Sequence, residues 1–191
     1  QIRIGLIGVT SSGKSTLINA LLGQKILPQR VRPSSSVIVI CEYGEKTQAT
    51  VYFDGNSSES SKVFETDIQE ALEQYADEGW NQGNSKHVSE VHVQAPGYKL
   101  PHDVCLIDSP GLDAFGMEGH EKITLQLALP TLDMVLFLTT AKANPDRENL
   151  IRIDQVTEDD KPLMVVQNMI DSLVEDKNSE GVIISDIAAK Q

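Results

Sequence analysis

Residues 8–15 read Gly-Val-Thr-Ser-Ser-Gly-Lys-Ser, a match to G-x-x-x-x-G-K-[ST]. The chemistry of that spacing is phosphate binding. Gly8 and Gly13 permit backbone angles that other residues resist, so successive N–H groups can turn inward around a β-phosphate. A helix starting just after them adds the positive end of its dipole. Lys14 is placed to bridge the β- and γ-phosphates, and the Ser15 hydroxyl to ligate Mg²⁺. The candidate nucleotide-binding residues of this loop are Gly8, Thr10, Ser11, Ser12, Gly13, Lys14, Ser15 and Thr16.

A second cluster, Asp108-Ser-Pro-Gly111, matches D-x-x-G, the second phosphate-sensing motif of GTPases. An aspartate at a strand end can hold a Mg²⁺-bound water, and the Gly111 N–H can meet a γ-phosphate. Asp-Ser-Pro-Gly on its own also suits a plain turn. The next residue is Leu112, where small signalling GTPases place a glutamine that orients the attacking water. Leucine cannot do this, so hydrolysis requires other groups to position the water.

A third cluster, Gln167-Asn168-Met169-Ile170-Asp171, sits where GTPases show [NT]-K-x-D. An aspartate there accepts hydrogen bonds from N1 and N2 of guanine, a donor pair that adenine lacks. Asn168 and Asp171 match, but Met169 replaces the lysine. Methionine can supply the packing of a lysine stem on the base, but not the amine that ties down the phosphate loop. Guanine preference with weaker affinity follows. The competing reading is that Asp171 caps a helix and touches no base, in which case ATP is used.

These clusters need elements to carry them. Residues 2–7 read as a buried strand and residues 15–22 as a helix with Leu17, Ile18, Leu21 and Leu22 on its apolar face, stopped by Gly23. Residues 24–36 read as a loop with two prolines and three serines. Strands over 37–43 and 48–53 flank Gly44-Glu45-Lys46 and suggest a hairpin. Thr66 with Gln69 suggests a capping box for a helix carrying Ile68, Ala71, Leu72, Tyr75 and Ala76. Residues 88–93 alternate as an edge strand would, whereas 104–107, 134–138 and 163–166 are continuous apolar runs that suit the middle of a parallel sheet. The order predicts a three-layer α/β P-loop NTPase fold, mostly parallel, with an antiparallel edge hairpin.

Composition sets the limits. The chain has 191 residues, 40% hydrophobic and 23% charged, enough for one domain with a sizeable core. A formal net charge of -12 argues against a nucleic-acid-binding surface. Cys41 and Cys105 lie in apolar runs and read as buried thiols in a reducing compartment. No signal peptide and no bilayer-length apolar run is present, which points to a cytoplasmic location. The chain opens on Gln1 directly before a strand and breaks off in what reads as a helix, so residues 1–191 are expected to be a single GTPase domain cut from a longer protein.

With these motifs in order, the chain resembles the dynamin superfamily of large GTPases, its bacterial members in particular. The residues that carry the likeness are Ser-Ser-Gly-Lys-Ser-Thr-Leu-Ile-Asn-Ala-Leu-Leu-Gly at 11–23, Ile26-Leu27-Pro28, and Pro33 with a hydroxyl cluster. They also include Tyr43-Gly44-Glu45, and Asp108-Ser-Pro-Gly-Leu-Asp113 followed by His120-Glu121. The resemblance implies GTP and GDP as ligands, Mg²⁺ as cofactor, and GTP hydrolysis. It gives Ser11 a role in contacting phosphates and placing water. It asks a serine of the first switch to ligate Mg²⁺ in place of the usual threonine, Ser35 first and Ser34 second. It implies a homodimer formed across the nucleotide face, and lipid contact through regions outside this chain, hence peripheral membrane association. Some members also recruit a monovalent cation, for which no ligand is identifiable here.

Other candidates carry less. His87, His92, His102 and His120 lack metal-ligand spacing and read as surface or loop residues. Trp80 reads as packing, and the acidic helix over 65–78 as a solvated face. Two further functions remain open: a nucleotide-gated scaffold with little hydrolysis, and an ATPase of the same fold.

Overall fold

The structure, a computed structural model, describes residues 1–8, 11–28, 37–77, 79–108, 129–140, 153–154, 157, 160–170, 175–177 and 183–185. The apolar run at the start forms β1 (Ile2–Gly8), and α1 (Lys14–Leu22) follows and stops at Gly23. Next come β2 (Val39–Tyr43), β3 (Gln48–Phe53), β4 (Ser61–Phe64) and α2 (Ile68–Ala76). The chain continues through β5 (Val88–Ala95), β6 (Val104–Asp108), β7 (Met134–Thr140) and β8 (Leu163–Asn168). Two short strands, β9 (Glu175–Lys177) and β10 (Ile183–Ser185), pair separately.

The main sheet has eight strands in the order β4-β3-β5-β2-β6-β1-β7-β8. The pairs β5–β2, β6–β1, β1–β7 and β7–β8 are parallel, and β4–β3, β3–β5 and β2–β6 antiparallel. This is the expected mixed, mostly parallel α/β sheet of a P-loop GTPase. The larger core lies under α1 and α2, where Ile18, Leu22, Leu72 and Ala76 pack on Leu6, Cys41, Val51, Val91, Val93 and Leu106. A smaller core on the opposite face gathers Ile7, Ile40, Cys105, Ile107, Val135 and Phe137, with Ile153 packed against it. Cys41 and Cys105 are buried and free, as their apolar settings suggested.

Several local expectations are corrected. Strands β2 and β3 are not a hairpin, because β5 lies between them, parallel to β2 and antiparallel to β3. A turn at residues 44–46 reverses the chain without making its flanking strands neighbours. The edge hairpin is instead β3–β4, antiparallel from Ala49–Phe64 to Tyr52–Ser61. For the same reason β5 is interior. Its alternation reflects one covered face, with Val91, Val93 and Ala95 fully buried, and one polar face carrying Glu90, His92 and Gln94. His92 therefore stands on the sheet, between Glu42 and Glu90. The capping box does not form. Asp67, at φ 53, is the N-cap of α2, and the Gln69 amide donates to the Lys25 carbonyl at 2.8 Å. Trp80 is 64% exposed and does not pack in the core.

Candidate functional site

Strands β6, β1, β7 and β8 run in one direction and end at one margin of the sheet, and the site is built there. Leu6 of β1 pairs with Asp108, Gly8 with Leu138 of β7, and Thr140 with Asn168 of β8. The carboxyl ends of β1, β6, β7 and β8 thus converge, the usual crevice of an open α/β sheet. From β1 the chain turns through Ser11, Ser12 and Gly13 into α1.

Local chemistry shapes that turn. A Cβ on Gly8 would run into the Leu138 carbonyl, so the loop can leave β1 closely only as glycine. Gly13 is the N-cap of α1 at φ 95, a left-handed angle, and a Cβ there would collide with the Asn168 amide. Ser11 is also left-handed, at φ 63, and exposed, a sparsely populated conformation for a residue with a side chain. No side chain caps the first turn of α1, and its first turn carries no acidic residue. A helix start without a side-chain cap or an acidic residue suits an anion.

The charged groups follow. Lys14 Nζ donates to the Gly8 carbonyl at 3.0 Å, across the mouth of the loop. Ser15 Oγ donates to Asp108 Oδ2 at 3.2 Å, although Asp108 is 93 residues later. Asp108 is only 5% exposed. Burial pushes its carboxyl up to about 6, against the opposing pull of Lys14 and the Ser15 hydrogen bond. A buried carboxylate beside a hydroxyl is a set of hard oxygen donors, and it fits Mg²⁺ chemically. Ser15 and Asp108 are the residues that would hold that ion. Ser12 is fully buried, and its Oγ has no hydrogen-bond partner among the described residues. Thr16, one step into the helix, is exposed.

The base-reading end is joined to this loop by a contact the sequence reading did not foresee. Asn168 Nδ2 donates to the Ser12 carbonyl at 2.8 Å, while Asn168 Oδ1 accepts from the Met169 N–H at 2.8 Å. Asn168 thus supplies the tie that Met169 cannot. Met169 is left-handed at φ 57 and 38% exposed. The structure brings together Gly8, Ser11, Ser12, Gly13, Lys14, Ser15, Asp108 and Asn168. Thr10, Ser34, Ser35, Ser36, Gly111, Leu112, His120 and Asp171 lie outside the described residues. Among the described residues no His, Cys, Asp and Glu cluster has metal-holding geometry, and no helix is long and apolar enough to cross a membrane.

A model of the dynamin family matches residues 4–170. The chain is 30% identical over 120 residues to the bacterial dynamin-like protein of Nostoc punctiforme, covering 58% of the chain and 17% of that protein. It is 31% identical over 116 residues to mitofusin-2 of Homo sapiens, covering 59% of the chain and 14% of that protein. The chain therefore spans under a fifth of either relative. In structure it is similar to a member of an oligomerised bacterial dynamin pair described as sensing and tethering membranes. The TM-score is 0.65 at 24% identity, over 90% of this chain and 26% of that one. That likeness concerns the fold.

Proposed function

The chain belongs to the dynamin family, and on that premise we propose that it binds GTP with Mg²⁺ and hydrolyses it. The observation that carries the reading is the alignment of the glycine turn, Lys14, Ser15 and buried Asp108 at one sheet margin. Loop N–H groups and the start of α1 hold the phosphates. Lys14 exchanges the Gly8 carbonyl for β- and γ-phosphate oxygens. Mg²⁺, when bound, supplies charge neutralisation at those oxygens. Ser11 and Ser35 place the attacking water, the task that Leu112 cannot perform. Asn168 holds the base loop against the phosphate loop, and Asp171 selects guanine. Loss of the γ-phosphate releases the loops that sense it, and partner copies meet across the nucleotide face. Membrane contact belongs to parts of the protein beyond this chain, whose location is then cytoplasmic and peripheral at a membrane.

A second reading, a nucleotide-gated scaffold with slow turnover, draws on Met169 and on serines where the family uses threonine. Phosphate release measured against protein concentration separates the two. A rate per protomer that climbs with concentration supports assembly-stimulated hydrolysis. A flat rate near zero at every concentration defeats it and leaves the scaffold.

A further inference from the structure

Asn19 stands in the apolar stripe of α1, four residues after Ser15, so the two share one face of the helix. It is 4% exposed, between Ile18 and Leu22, which are fully buried. An amide in that setting is unfavourable unless its polar atoms are met. They are met by a segment outside the helix. Asn19 Oδ1 accepts from the Ile26 N–H at 2.9 Å and from the Leu27 N–H at 2.8 Å. Asn19 Nδ2 donates to the Leu27 carbonyl at 2.8 Å. One side chain therefore clamps the backbone of two consecutive residues, with Ile26 and Leu27 themselves buried. Leu27 and Pro28 then line the same cleft as Ser15 and Asp108.

We infer that Asn19 is a positioning residue for the cation side of the phosphate site. Acting through the Ile26–Leu27 backbone, it sets the wall that Leu27 and Pro28 raise beside Ser15 and Asp108. An apolar residue would fill the stripe equally well but leave two N–H groups and a carbonyl unmet. The amide is thus used for placement rather than for filling. The inference rests on the reading that this site takes a Mg²⁺-nucleotide.

The test is GDP affinity of the chain, measured by titration calorimetry with Mg²⁺ and again with EDTA, for wild type, Asn19→Ala, Leu27→Ala and the double variant. Asn19→Ala is expected to reduce the Mg²⁺-dependent gain in affinity by on the order of tenfold, the equivalent of one or two hydrogen bonds. Its affinity in EDTA stays within about twofold of wild type, because the phosphate loop is untouched. Leu27→Ala should reproduce the effect, and the double variant should add little to either. An equal loss with and without Mg²⁺ would make Asn19 a purely structural residue and overturn the inference. So would an unchanged Mg²⁺-dependent gain. Should Asn19→Ala fail to fold, Asn19→Ser, which keeps one acceptor, carries the same test with a smaller loss expected and the same overturning results. A wild-type chain that binds no GDP under either condition refutes the nucleotide reading itself, a separate outcome.

Discussion

The two ends of the nucleotide crevice are built differently. At the phosphate end, backbone and core do the work: Ser12 is fully buried, Asp108 is 5% exposed, and Gly8 is wedged against Leu138. At the base end, an edge strand carries the residues. Met169 is 38% exposed and Ile170 61% exposed, and the Asn168 amide links this end to the Ser12 carbonyl. An anion can be gripped by groups that every residue has, once glycines let the chain turn. A base must be read by side chains, and those hang from the rim. The phosphate end should therefore resist variation poorly, and the base end tolerate it better.

The largest effect should come from removing the lysine of the glycine turn. Lys14→Ala is expected to weaken GTP binding by at least about a hundredfold. An unchanged Kd by calorimetry would refute the assignment of the phosphate end. At the base end, Asp171→Asn should erase most of the preference for guanine over adenine nucleotides, on the order of a hundredfold, while leaving GDP-analogue phosphate contacts intact. If the ratio of GTP to ATP affinity does not move, Asp171 is not the reader.

Asp108 sharpens the contrast because its burial works against stability. Its carboxyl holds a proton up to about 6, against an ordinary 3.8, so the native state binds that proton more tightly than the unfolded chain does. Native stability from this group is full below about pH 4 and falls as pH rises to about 6. Above that, the charged form costs about 3 kcal/mol. Asp108→Asn should raise Tm of the nucleotide-free protein at pH 7.5 by roughly 5 °C. It should also remove the Mg²⁺ dependence of nucleotide affinity. A lower Tm in thermal melts would mean that the carboxylate is stabilising as it stands. The smallest effect belongs to the rim: Met169→Lys should tighten GTP binding by about threefold, because Asn168 already provides the inward tie. A gain of a hundredfold would show that the amide bridge is inadequate.

How much of this was legible in the sequence follows the same division. The G-x-x-x-x-G-K-S turn needs only glycine's freedom and one lysine, and its described residues join the end of β1 to the start of α1. The runs 104–107 and 134–138 announced themselves as inner strands, whereas the similar run 163–166, also expected in the middle, forms the outer strand β8 with Met164 and Val165 half exposed. What failed was adjacency. Gly44-Glu45-Lys46 marks a reversal, but nothing local says that β5, about fifty residues on from β2, will enter between the strands it joins. Asn168's bridge to Ser12 crosses 156 residues, and only the register of β1, β7 and β8 brings the two together. Asn19 did leave a trace, a polar residue inside the stripe of Ile18 and Leu22, but its partners could not be read from the helix alone.

The most direct measurement is a calorimetric titration, with Mg²⁺ present, of GDP, a non-hydrolysable GTP analogue and the matching ATP analogue. Saturable heat is expected from both guanine nucleotides, with ATP-analogue binding weaker by at least about tenfold. No heat from either guanine nucleotide would contradict the account.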